Sequence, residues 1–214
     1  PLLTLFRGLL LGVWYRLSGV HLSQGLSRDL LFRKFCHLEL GGDVPEASTL
    51  GRFRSQLVEH GLWERLLGEI NKQLEAKNII LTEGRINIID ATPIEAAQSG
   101  SGKGKDGEPK RDKDAGWHVK KNSRGVLKST YGYSVHTGVD EDGFIQRQTV
   151  TAVIRAGGER PFATYKSRYG LARTRFMGLA KNMTAYGIAA IAQNVRKGAK
   201  FLTLYGLPDQ SSAG

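Results

Sequence analysis

The sequence predicts a mixed α/β (α+β) protein, with a helical N-terminal part, a β-rich middle and a basic helical C-terminal part. Three observations support this fold class. Apolar residues recur at helical spacing through residues 1–83. From residue 85, β-branched runs and an alternating pattern indicate strands, and an apolar helical pattern returns near the end of the chain. The 214 residues suffice for one medium domain with an extension, or for two small ones.

The charge balance favours a polyanionic partner. The chain has 31 Lys and Arg against 20 Asp and Glu, a formal net charge of +11 at pH 7. Binding to nucleic acid is favoured because each phosphate that is neutralised releases condensed counterions. A membrane surface or added solubility are the alternative explanations for such a charge.

Cysteine content and apolar runs indicate the cellular compartment. The single cysteine, Cys36, cannot form an intramolecular disulfide framework or a cysteine-based zinc site, and its apolar neighbours predict a buried thiol. Arg7 interrupts the apolar start of the chain, and no run approaches the roughly 20 apolar residues of a membrane span. We expect a protein of the reducing cytoplasm that does not bind membranes.

Residues 1–83 are predicted to form a helical domain. Apolar spacing predicts helices near residues 5–13, 26–35, 49–57 and 62–76. Hydroxyl side chains are expected to cap the second and third of these helices: Ser23 or Ser27, and Ser48 or Thr49.

Arg52 and Arg54 stand early in the third predicted helix, after the Gly- and Pro-containing turn GGDVPEAS. Two short helices joined by such a turn predict a helix-turn-helix, which places a basic helix end in the major groove of DNA. The alternative is a small helical bundle with solvated arginines, and the turn is longer than is usual for the motif.

The middle of the chain predicts a strand, a loop and a hairpin. RINIIDATPIEA reads as a strand that ends at Asp90, where a carboxylate is well placed to bind a divalent cation. The alternative is an aspartate that caps the next turn. Residues 98–125 are rich in Gly, Ser and charge and predict a flexible surface loop. STYGYSVHTGVDEDGFIQRQTVTA predicts two strands joined by a turn at residues 140–143.

Glu159 is the only acidic residue in residues 155–200. If this segment is helical, Arg155, Glu159 and Lys166 fall on one face. Glu159 is then a candidate metal ligand, with Arg155 and Lys166 contacting phosphate. The alternative is a structural ion pair of Glu159 with Arg155 or Arg160.

Several segments resemble the insertion-sequence-five group of transposases: IIDATPIEA, YGYSVHTGVDEDGFI, VTA, and ERPFATYKSRYGLARTRFMGLAKNMTAYGIAAIAQN. The N-terminal DLLFRKFCHLEL and DVPEASTLGRFRSQL are similar to the helical N-terminal domain of that family. The resemblance implies an RNase H-like, three-carboxylate (DDE) domain over residues 84–205, followed by a tail at 206–214.

The resemblance also implies site residues and a reaction. The first family acid matches Asp90, and the pattern Arg-x3-Glu-x6-Lys matches Arg155, Glu159 and Lys166. The family often has a tyrosine where this chain has Ala152. The implied chemistry is DNA cleavage and strand transfer by phosphoryl transfer, with Mg²⁺ or Mn²⁺ held by the carboxylates. The implied partner is double-stranded DNA at the element ends.

The chain departs from the family where the second catalytic aspartate should stand. Thr151 is followed almost at once by Arg155, so too few residues remain for the strand that carries this acid. The nearby acids of the DEDG sequence have the chemistry of a hairpin turn. We therefore expect an internally deleted copy that binds DNA but is catalytically defective, and that acts as a homodimer or as a heteromer with intact transposase. The alternative is a non-enzymatic DNA-binding remnant that regulates or inhibits an intact transposase.

Overall fold

The computed structural model describes residues 2–80, 88–97, 112–121, 126–140, 142–151 and 169–205. Its helices are α1 (Leu2–Trp14), α2 (Gly19–Arg28), α3 (Leu30–Cys36), α4 (Ala47–Glu59), α5 (Leu62–Glu75) and α6 (Leu179–Tyr205). Its strands are β1 (Ile88–Glu95), β2 (Gly116–Lys121), β3 (Leu127–Val139) and β4 (Ile145–Thr151). Helices at both ends of this part of the chain and one antiparallel sheet confirm the mixed α/β class.

Helices form in all four predicted N-terminal segments, but the second is divided in two and the predicted caps are wrong. The predicted second helix is two helices, because Asp29 interrupts it and accepts hydrogen bonds from the backbone of Leu31 and Phe32 at 2.8 and 3.1 Å. Ser18, rather than Ser23 or Ser27, caps α2. The predicted caps of the next helix are also wrong, since α4 begins at Ala47 after Glu46, which makes no side-chain cap hydrogen bond.

Strand β3 is the centre of the sheet. It pairs antiparallel with β1, β2 and β4. The predicted hairpin is confirmed: β3 and β4 pair, and Asp140 closes the turn by accepting from Phe144 N at 2.8 Å and from Gly143 N at 2.9 Å. Gly143 has a φ of 78°, a conformation that glycine adopts without steric cost.

Strand β1 continues beyond Asp90, so the prediction that the strand ends at this residue is wrong. Asp90 is the third of eight strand residues, and Thr92 and Ile94 are buried farther along. Pro93 is tolerated because alternate residues of β1 direct their backbone nitrogens away from β3. The nitrogen of Glu95 shows this pattern, since it donates to Ala172 O at 3.2 Å.

The predicted surface loop at residues 98–125 is wrong over residues 112–121. Asp112 and Ala115 are buried, and β2 follows them. Trp117 of β2 contacts the ring of Tyr131, with centroids 5.1 Å apart. Residues 98–111 and 122–125 lie outside the described residues.

One apolar core joins the N-terminal helices to the sheet. It includes Leu10, Leu57 and Leu67 of the helices together with Val135 and the buried face of α6. Trp14 Nε1 also donates to Ala192 O at 2.8 Å, which ties α1 to α6. The prediction that the late apolar helix packs on the sheet is therefore confirmed.

Three further sequence predictions concern the burial of Cys36, membrane-spanning helices and the boundaries of the predicted domains. Cys36 is fully buried, as predicted, and burial raises the pKa of its thiol to about 11. No helix in the described ranges is long and apolar enough to cross a membrane. The predicted boundary between residues 83 and 84 and the tail at 206–214 lie outside the described residues and stay predictions.

Candidate functional site

Asp90 lies in a row of residues that crosses three strands of the sheet. The β1–β3 register pairs Asp90 with Thr137, and the β3–β4 register pairs Thr137 with Gln148. Thr137 and Gln148 are buried, and the Thr137 hydroxyl has no hydrogen-bond partner among the described residues. The sheet therefore fixes the backbone of the first candidate acid beside buried polar groups.

The other residues predicted for the catalytic centre lie outside the described residues: Arg155, Glu159, Arg160 and Lys166. Within the ranges that the structure covers, no three His, Cys, Asp or Glu side chains are grouped to hold a metal ion. The described residues alone therefore do not form the three-carboxylate site that the resemblance implies for Mg²⁺ or Mn²⁺.

The acids of residues 112–114 have structural roles. Asp112 is 3% exposed, and its Oδ1 accepts from the Tyr133 hydroxyl at 2.7 Å and from Gly178 N at 3.1 Å. Asp114 Oδ2 accepts from Leu179 N at 2.8 Å, at the first turn of α6. Carboxylates at the N-terminal end of a helix are stabilised by the backbone N–H groups of its first turn and by the helix dipole.

The described acids of the sheet and its hairpin turn include Asp140 and Glu95. Asp140 is buried in the hairpin, where Oδ1 accepts from Phe144 N at 2.8 Å and Oδ2 accepts from Gln146 Nε2 at 3.2 Å. Glu95 is an exposed residue at the end of β1, five residues along the strand from Asp90. This arrangement agrees with the prediction that DEDG serves the turn.

Arg33 organises the connection between α3 and α4. This buried side chain donates to the carbonyls of Leu26, Glu39 and Gly42, the last at 2.8 Å. His37, which ends α3, has a φ of 55°. The turn is therefore wrapped around one guanidinium, which gives a defined path to a connection longer than the usual helix-turn-helix turn.

The two arginines predicted for DNA contact point to different surroundings. Arg52 is exposed and donates to Thr49 Oγ1 at 3.2 Å. Arg54 is half-buried, with its guanidinium carbon 5.2 Å from the centroid of the Phe176 ring. Arg52 is available to solvent, whereas Arg54 faces the interior side of α4.

Arg54 lines a cavity of about 250 Å³ between α1, α2, α4 and the segment that precedes α6. Two more arginines, Arg16 and Arg175, line the same cavity. Burial lowers the pKa of Arg54, and the positive charge of Arg175 lowers this pKa further. We call this feature the arginine cavity.

Sequence patterns did not reveal the arginine cavity or the roles of Asp112 and Asp114. Arg16 and Arg175 are far apart in the chain. The helical spacing of the segments around them does not predict that both line one cavity. Asp112 and Asp114 precede an aromatic strand, which is a local signal for a structural role. Their hydrogen-bond donors, Gly178 N and Leu179 N, are more than sixty residues away in the chain.

Comparison with known families gives a match to the N-terminal part of the chain. Residues 1–56 match the family described as "Transposase domain (DUF772)". The match extends from α1 into α4 and includes Arg52 and Arg54. No solved structure matches the chain. The match supports a transposase family.

Proposed function

We propose that this chain is a DNA-binding, insertion-sequence-five-like transposase that is defective in DNA cleavage. The observation that carries the proposal is the transposase-domain match of residues 1–56, which includes the exposed Arg52 on α4. The net charge of +11 supports a nucleic-acid partner, since basic side chains along a DNA backbone release counterions.

The arrangement of β1, β3 and β4 supports an incomplete RNase H-like domain. These strands form an antiparallel set with β3 in the middle, and Asp90 lies on β1 as the first family acid should. Glu159 is the proposed last acid. No catalytic step is assigned to this pair, because the sequence between Thr151 and Arg155 leaves no room for the strand of the second aspartate.

Three described acids between Asp90 and Glu159 support the proposed defect. Asp112, Asp114 and Asp140 accept hydrogen bonds from backbone or side-chain donors that belong to the fold. A carboxylate committed in this way cannot serve as a metal ligand beside Asp90 without breaking those contacts. The same observation favours the second candidate function, a non-enzymatic remnant that binds element ends and inhibits an intact transposase.

We expect the purified chain to bind double-stranded DNA with an affinity that falls steeply with salt. The logarithm of the binding constant should fall linearly with the logarithm of salt concentration, by about 0.9 per phosphate contacted. Arg52→Gln should reduce this slope by about one and weaken binding similarly for all sequences. Fluorescence anisotropy at several salt concentrations measures both quantities.

The matched control is Gln56→Ala, which changes an exposed, neutral residue of the same helix. It should leave the salt slope unchanged. Absence of binding at low salt, or binding that salt does not weaken, would contradict the proposal.

A further inference from the structure

The arginine cavity combines apolar walls with a cluster of positive charge. Its apolar walls include Leu9, Val13, Leu50 and Ile188. Three arginines also line it: Arg54 on α4, Arg16 after α1 and Arg175 before α6. Apolar walls with a few convergent polar groups are typical of small-ligand sites.

Two of the cavity arginines, Arg54 and Arg175, have no carboxylate partner among the described residues. Both side chains line the same cavity, and the positive charge of Arg175 disfavours the charged form of Arg54. The contact of Arg54 with the Phe176 ring offsets part of this repulsion but supplies no negative charge. A half-buried guanidinium beside a second positive charge is stabilised when an anion binds between the two.

Charge and size identify the class of anion. Two guanidinium groups match a phosphate dianion, because each presents a planar pair of donors to two phosphate oxygens. A volume of about 250 Å³ holds roughly eight waters at ~30 Å³ each, which is enough for a phosphate and a sugar. Pockets that enclose a whole drug-sized ligand begin at about 300 Å³.

We propose that the arginine cavity binds a sugar phosphate, with the phosphate held by Arg54 and Arg175 and the sugar against the apolar wall. Arg16, an exposed residue with a backbone φ of 57°, also lines the cavity. Its guanidinium lies against Gly170, whose added Cβ would be 2.9 Å from Arg16 Nε. The sugar phosphate belongs either to the end of a nucleic-acid strand or to a free metabolite. The assignment does not depend on the proposed transposase function.

Thermal unfolding of the full chain in inorganic phosphate tests the site without DNA. At equal pH and ionic strength, phosphate at about a hundred times its Kd should raise Tm by about 5 °C relative to chloride. Arg54→Gln and Arg175→Gln should abolish this rise. In chloride, Arg175→Gln should match or exceed the Tm of the parent chain, because the repulsion with Arg54 is gone.

Arg65→Gln is the control, since Arg65 is an exposed arginine of α5 that does not line the cavity. It should keep the full phosphate-dependent rise. The proposal is overturned if phosphate stabilises all four proteins equally, or if it stabilises none of them. Should Arg54→Gln fail to fold, the exposed Arg175 still decides the test.

Competition with oligonucleotides then separates the two sources. If the chain binds a 5′-phosphorylated strand about tenfold more tightly than a 5′-hydroxyl strand, and Arg175→Gln loses this preference, the cavity binds a nucleic-acid end. Equal affinity for the two strands, with the phosphate-dependent Tm rise intact, assigns it to a free sugar phosphate. A chain that binds no DNA but shows this rise refutes the proposed function and keeps the phosphate site.

Discussion

Replacement of Asn194 by alanine is expected to destabilise the protein by about 3–4 kcal/mol, a fall in Tm of roughly 10 °C. Asn194 is fully buried on α6, where its Oδ1 accepts from Ile145 N at 2.8 Å. Its Nδ2 donates to Ile145 O and to Asn71 Oδ1, each at 2.7 Å. The alanine variant leaves Ile145 N–H and Asn71 Oδ1 buried without these partners. Each buried polar group that loses its hydrogen-bond partner lowers the free energy of unfolding.

Gln193→Ala is the matched control for Asn194→Ala. Gln193 is the preceding residue on α6, and its Oε1 has no hydrogen-bond partner among the described residues. Its removal should cost less than about 1 kcal/mol, since no partner of that oxygen is orphaned. Thermal or urea unfolding measures both variants, and equal losses would show that the α5–α6–β4 contact does not stabilise the fold as described.

Replacement of Gly187 by alanine is expected to destabilise the protein by about 2 kcal/mol, a fall in Tm of about 4–8 °C. Gly187 is buried where α6 crosses α5, and an added Cβ would lie 2.2 Å from Trp63 Cε3 and 2.6 Å from Trp63 Cδ2. Alanine favours a helix over glycine by about 1 kcal/mol, but the rigid indole cannot move away within a packed core. The steric cost therefore exceeds the gain in helix propensity.

Two variants isolate the steric effect at Gly187. Gly68→Ala lies on the exposed face of α5 with open space around its Cβ, so it should be neutral or stabilising by up to about 1 kcal/mol. Trp63→Leu should reduce the loss caused by Gly187→Ala in a double-mutant cycle, because the two substitutions share one contact. An additive cycle would contradict the predicted clash.

Local patterns in the sequence predict much of this fold. Helical spacing locates α1, α4, α5 and α6, and Asp140 and Gly143 mark the hairpin turn, because these signals act over a few residues. Asp29 shows the limit of such signals, since it caps α3 within a continuous apolar pattern. Pro93 shows another: its place in β1 is permitted by the direction of its nitrogen, which depends on pairing with β3.

The candidate site is less accessible to sequence reasoning because its contacts join distant residues. A strand pattern identifies Asp90, but its neighbours Thr137 and Gln148 follow from the register of three strands. The position of Arg54 on a basic helix predicts a DNA contact. Its placement beside Arg175 and Phe176 depends on how α4 packs near the start of α6, which no local pattern encodes.

The most direct test of the proposed function is nicking of supercoiled plasmid DNA by the purified chain with Mg²⁺ or Mn²⁺. The Asp90→Ala variant is assayed beside the parent, and DNA binding is measured on the same preparations. We predict that neither protein nicks the plasmid and that both retain salt-sensitive DNA binding, as expected of a transposase without its second acid. Metal-dependent nicking by the parent chain that Asp90→Ala abolishes would contradict the proposed catalytic defect.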